Sequence, residues 1–208
     1  VTIDDTPQAP APDHRLARTR TRTERADVRR NRARLLTAAR ETFLRDGADA
    51  SLEGVARLAG VGIGTLYRHF PTRQDLLEAL LTDVYDDLAA RARDLLPSPE
   101  PGEALMTWLR AFISHVTEFR GMAASVLVTL RDERSDLFHS CRTMRAEAES
   151  LFVRAQKTGD VPAAADFPDV LTLAGAIAMA TEQQPATADR LVSLAATGLL
   201  SPKPHYGQ

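Results

Sequence analysis

The residues best placed to do chemistry lie in one short run, Gly64-Thr65-Leu66-Tyr67-Arg68-His69-Phe70. Leu66 and Phe70 are four apart, so on a helix both turn to the same side and leave Thr65, Tyr67, Arg68 and His69 outward. Thr65 and Tyr67 carry hydroxyls that can bond phosphate oxygens or base edges, and Arg68 can bond guanine or phosphate. Gly64 lets the backbone come close to a partner. The pattern fits a helix laid against nucleic acid. Tyr67 and His69 also fit plain packing among helices, and His69 equally fits a brace against the helix that follows. The run Gly60-Val61-Gly62-Ile63-Gly64-Thr65 looks superficially like a phosphate cradle. It lacks the Lys-Ser/Thr ending, the Gly-x-Gly-x-x-Gly order and a preceding strand, so a nucleotide site is not expected.

These residues need a scaffold, and the apolar spacing supplies one. Leu35, Leu36, Ala39, Phe43 and Leu44 recur at helical spacing and Gly47 follows as a stop, predicting a first helix over 29–46. Ser51 is a good N-cap for a second helix carrying Leu52, Val55, Ala56 and Ala59. Gly60-Val61-Gly62 breaks it, and 63–70 forms a very short third: a helix-turn-helix pattern. Thr72 and Asp75 have capping-box spacing at the start of a long helix over 72–96. Pro97, Pro99, Pro101 and Gly102 end it. Further helices are expected at 103–119, 121–131, 135–158, 166–183 and 187–200, with no period-two alternation anywhere. The chain reads as all-α with about nine helices.

Charge divides the chain in the same place. The 208 residues are 44% hydrophobic and 26% charged with a net charge of −2, which is a globular composition. From Arg15 to Arg73, however, there are fourteen Arg, no Lys and six acidic residues, a net of +8; the remainder carries −10. A basic segment for a polyanion beside an acidic body is implied. Residues 1–28 read as a disordered arm, basic from Arg15, followed by a head over 29–71, a body over 72–202 and a tail over 203–208. One cysteine, Cys141, excludes an internal disulfide or a four-cysteine metal site, and the five histidines are too dispersed for ligands on one helix. No metal or cofactor is expected. The N-terminus is acidic with no apolar run, unlike an export signal. The longest uncharged apolar stretch, Val170–Thr181, has 12 residues, too few to cross a membrane. A cytoplasmic protein is the expectation.

The run from Ser51 to Phe70, above all Ala59-Gly60-Val61, Gly64-Thr65-Leu66-Tyr67 and His69-Phe70, followed by Arg73 and Leu76-Leu77, resembles the DNA-binding region of the TetR family of bacterial transcriptional regulators. The resemblance implies phosphate contacts from Tyr67 and Arg73 and a base-facing side at Ile63, Gly64 and Thr65. The expected DNA-facing set is Ser51, Gly62, Ile63, Gly64, Thr65, Tyr67, Arg68, His69 and Arg73. Four positions depart from the family pattern. Gly62 replaces a Ser cap, Ile63 a polar residue and Glu53 an Arg, while Gly54 lies inside a helix at about 1 kcal/mol relative to Ala. Ile63 could meet a thymine methyl; Glu53 could accept from cytosine but repels phosphate. The operator sequence is left open.

In the body, Trp108, Phe112, His115 and Phe119 fall on one helical stripe in a chain poor in aromatics. The stripe reads either as core or as the wall of an apolar pocket. Met122, Leu127, Phe138, Cys141 and Phe152 would close such a pocket, with Cys141 a small hydrophobe and not a redox sensor. The family resemblance favours a pocket for a small apolar or amphipathic effector, whose binding releases a repressor from a near-palindromic operator on double-stranded DNA. Helices 166–183 and 187–200 are rich in Ala and Gly and apolar on more than one side, which predicts a homodimer through them. Two rivals stand beside this reading: a DNA-binding regulator with no effector, and a helical enzyme using His115 as general base.

Overall fold

The computed structural model describes residues 14–47, 50–118, 132–181 and 185–199. Among them it forms eight helices and no strand: α1 His14–Asp46, α2 Leu52–Leu58, α3 Ile63–His69, α4 Arg73–Leu95, α5 Pro101–Glu118, α6 Asp136–Lys157, α7 Phe167–Ala180 and α8 Pro185–Leu199. The helix expected over 121–131 lies outside the described residues, as do residues 1–13.

Local sequence explains the boundaries. The Ser51 hydroxyl accepts from the Gly54 amide at 3.2 Å and starts α2. At α4 the Thr72 hydroxyl accepts from the Asp75 amide at 3.1 Å while the Asp75 carboxylate accepts from the Thr72 amide at 2.8 Å, a complete capping box. One expectation is corrected. Residues 14–28 are not a disordered arm but the first half of α1, which begins at His14 and not near Arg29. A charge run without apolar periodicity gives no packing signal. It nevertheless contains good helix formers, with no Gly or Pro between His14 and Asp46, so the helix anchored at Leu35–Phe43 extends back through it.

Leu35, Phe43, Val55, Leu66, Phe70 and Leu76 bury the head where α1, α2, α3 and the start of α4 meet. In the body, α4 packs along α6, and α5 packs against α4, α6, α7 and α8. Trp108 is fully buried, donates its indole N–H to the Leu88 carbonyl of α4 at 2.9 Å, and stacks on Phe112 with ring centroids 5.6 Å apart. The far end of the body is tied by Asp160. Its carboxylate accepts from the Gly102 amide at 3.2 Å and from the Thr158 hydroxyl at 2.7 Å, placing a negative charge at the N-terminus of α5.

Two glycines make opposite predictions. A Cβ on Gly102 would lie 2.9 Å from Asp160 Cβ, so Gly102→Ala should destabilise by about 1–3 kcal/mol. A Cβ on Gly54 would meet only ordinary contacts at 3.7 Å or more, so Gly54→Ala should stabilise α2 by roughly 0.5–1 kcal/mol. Denaturant unfolding of the two variants checks both signs.

Candidate nucleic-acid interface

The turn between α2 and α3 sets the site. Ala59 caps α2, the Gly60 amide bonds the Arg57 carbonyl at 3.0 Å and the Val61 amide bonds the Ala56 carbonyl at 3.0 Å. This is a Schellman ending, and it requires the left-handed conformation that Gly60 adopts at φ 67°. Gly60 also admits the Arg34 guanidinium from α1: a Cβ there would lie 2.5 Å from Arg34 Nη2. The turn redirects the chain so that α3 lays Leu66, fully buried, onto the head core.

The opposite side of α3 faces outward. Ile63 and Tyr67 are 37% and 46% exposed, large values for apolar and aromatic side chains, and Gly64 and Arg68 are exposed beside a half-buried Thr65. Arg68 folds back along its own helix, Nε donating to the Gly64 carbonyl at 3.2 Å and Nη2 to the Thr65 hydroxyl at 3.4 Å. These are long, exposed bonds that a phosphate or guanine can replace at little cost. Gly62 is the N-cap of α3 and supplies no side-chain bond. His69 is half-buried with its ring 6.2 Å from that of Phe70, at the edge of the site.

Two of the expected contacts have structural work as well. Arg73 Nη1 donates to the Ala50 carbonyl at 2.6 Å and its guanidinium lies 4.9 Å from the centre of the Phe43 ring, pinning the start of α4 to the α1–α2 connection. The Ser51 hydroxyl, besides capping α2, donates to Glu53 at 2.9 Å. Bonds from the Glu53 backbone and from Ser51 hold the Glu53 carboxyl below the usual carboxylate range, so a fixed negative charge stands at the start of α2. The sequence reading did not single out Arg32 and Arg34. Arg34 covers the α2–α3 turn and Arg32 lies over the Phe70 ring at 5.6 Å from its centre, so both join the basic surface of the head. The excess of arginine was their only sequence signal.

The residues expected to line a pocket separate into groups. Trp108 and Phe112 fill space between α5 and α4, and Phe152 packs on Phe167 with ring centroids 5.6 Å apart. Phe138 and Cys141 are half-buried, burial pushing the Cys141 thiol up and away from the reactive thiolate. Tyr85, near Cys141, is pushed up to about 12 by burial. Phe119, Met122 and Leu127 lie outside the described residues. His115 is tied between head and body: its Nδ1 lies 3.3 Å from Glu118 Oε2 and 3.3 Å from Arg40 Nη2, and Arg40 of α1 donates to Glu118 at 2.8 Å. A histidine held in this way links α1 to α5.

Cavities occur elsewhere on α5 and on α6. One of about 250 Å³ lies between α5 and α8, lined by Arg110, Ser114, Thr117 and Asp189 among others. A wider groove of about 730 Å³ runs between the end of α4 and α6. Among the described residues no cluster of side chains is arranged to hold a metal ion, and no helix is long and apolar enough to cross a membrane.

Residues 35–80 match the profile of bacterial regulatory proteins of the tetR family, and residues 100–201 match the C-terminal domain of SbtR-like transcriptional regulators. The chain is 33% identical to the TetR transcriptional regulator SCO0520 of Streptomyces coelicolor, covering 81% of this chain and 98% of that one with a TM-score of 0.67. It is 32% identical to a TetR regulatory protein of Mycobacterium vanbaalenii, covering 85% and 99% with a TM-score of 0.66. Among curated relatives, the HTH-type transcriptional regulator SAR0097 of Staphylococcus aureus is 35% identical over 78 residues, which is 36% of this chain and 40% of that protein. The matched part therefore spans less than half the length of that curated relative. Head and body profiles fall on successive parts of one chain whose fold matches whole regulators: the protein belongs to the TetR family of DNA-binding transcriptional regulators.

Proposed function

We propose that the protein is a cytoplasmic homodimeric repressor that reads a near-palindromic operator through α3 and is released by a small amphipathic ligand. The observation that carries the reading is the outward face of α3. Ile63, Gly64, Tyr67 and Arg68 stand clear, beside a half-buried Thr65, on a short helix held from behind by Leu66 and aimed by the Gly60 turn. Ile63 and Thr65 face the bases, the Tyr67 hydroxyl and Arg73 hold phosphates, and Arg68 swings from Gly64 to the DNA. Ser51, Gly62 and His69 border this surface.

The dimer rests on the terminal helices. Leu173 of α7 is 45% exposed, Met179 73% and Leu194 of α8 67%, beside exposed Ala176 and Ala180. Small residues allow close helix approach, and a two-fold pairing of α7 and α8 with their copies buries this face. Paired heads then require half-sites about one helical turn, or a multiple of it, apart. The 250 Å³ cavity supports an effector, since charged and hydroxyl groups on its wall suit a small amphipathic molecule. The burial of Trp108 and Phe112 favours the reading without an effector for the aromatic side of α5. A ligand that shifts α4 must weaken DNA binding by the same factor by which DNA weakens ligand binding.

On a duplex selected by the full chain, Tyr67→Phe should weaken binding across sequences with folding unchanged, because only the outward hydroxyl is lost. Arg73→Ala should lose affinity, reduce the salt slope by about 0.9 per protomer, and lower stability through the lost Ala50 bond. Fluorescence anisotropy with parallel thermal unfolding separates these effects; unchanged affinity in both variants contradicts the docking. Light scattering should give twice the chain mass, falling to one chain for a Met179→Glu, Leu194→Glu variant. A wild-type monomer at micromolar concentration overturns the dimer.

A further inference from the structure

Residues 14–34 form an uninterrupted extension of α1, 21 residues that span about 31 Å at 1.5 Å per residue. The segment carries nine Arg against Glu24 and Asp27. No residue from Ala26 to Arg34 is buried, and Leu35 is the first buried residue of α1 among those whose burial is described. Its arginines are not scattered. Arg15, Arg18, Arg22, Arg25, Arg29 and Arg32 follow the alternating three- and four-residue spacing that places a stripe along one side of a helix. In a coiled coil those positions would be apolar; filled with arginine they repel a second copy of the same helix and attract a polyanion. The stripe ends in the head: Arg32 lies over Phe70, which follows α3, and Arg34 covers the α2–α3 turn. Arg30, off the stripe, is 3.5 Å from Asp27 one turn earlier, so the acidic charge is partly met on the other side.

We propose that this extension is a second DNA-binding element, its arginine stripe lying along the phosphate backbone beyond the half-site that α3 reads. A duplex is chosen over a membrane or an acidic protein because the stripe is continuous with the helix-turn-helix. The inference rests on the reading that the head binds DNA. The extension's length matches about one turn of duplex, and its stripe sets arginines about 5 Å apart along the helix against phosphates that rise about 3.4 Å apart along each strand.

The test compares the full chain, a chain lacking residues 1–28, and a variant with Arg15, Arg18, Arg22, Arg25 and Arg29 changed to Gln, which keeps the helix. Each is titrated against the selected duplex, both minimal and lengthened by one helical turn at each end, over a series of salt concentrations. The full chain should bind the longer duplex about tenfold or more tightly than the minimal one, and both altered chains should lose that preference. The salt slope should fall by about 0.9 for every phosphate released, some two to four per protomer, with the selected sequence unchanged. Equal affinity of the full chain for both duplexes, or an unchanged slope in the Gln variant, overturns the extension's role while leaving the head's intact. Absence of salt-dependent binding by the full chain overturns both.

Discussion

Head and body share one rigid member, α4, and the rest of the structure depends on how it is held. Leu76 and Leu77 at its start belong to the core of the head; Val84, Leu88 and Ala92 further along belong to the core of the body. Its start is fixed by the Thr72–Asp75 box and by Arg73 on Ala50 and Phe43. The middle is fixed by the Trp108 bond to Leu88, and the end by Arg154, which donates to the Leu96 carbonyl. No Gly or Pro interrupts the helix, so it has no place to kink. The buried residues accordingly form one continuous cluster running from Leu35 to Ala196. Packed side chains therefore connect the body to the head through α4, with the Arg40–Glu118 pair as a second connection from α1 to α5.

That arrangement gives physical sense to the division of charge. The excess of arginine lies in the head and in the helix that leads into it, where a polyanion is attracted, and the remainder of the chain is acidic. On α3 the exposed face carries hydroxyl and guanidinium groups whose bonds are long and exposed, whereas its orientation comes from buried Leu66, the left-handed Gly60 and the α4 anchor. Glu53, kept ionised beside Ser51, works against phosphate contact at the start of α2.

The helix-turn-helix was legible in the sequence because its determinants are local. Ser51, Gly60, Thr72 and Asp75 act within a few residues of themselves, and Leu66 and Phe70 state the buried side by spacing alone. The reach of α1 was not legible, because an Arg-rich segment gives no apolar period whether it is helical or not; only its lack of Gly and Pro pointed to a helix. Trp108 was equally ambiguous. Its stripe on α5 is the same for a pocket wall and for core, and only the bond to Leu88 and the stack on Phe112 show that it fills the α4–α5 interface. The contacts of Arg73 with Ala50 and Phe43, and the positions of Arg32 and Arg34 over the head, lie between elements and are not recorded by spacing.

The central claim is that two copies of this chain present two α3 helices to one duplex. The most direct measurement is selection from a random pool of duplexes by the full chain, followed by sequencing of what is retained. The account predicts an enriched motif of two inverted half-sites with centres about one helical turn, or a multiple of it, apart. Retained duplexes without an inverted repeat, or with no enriched motif at all, would contradict it.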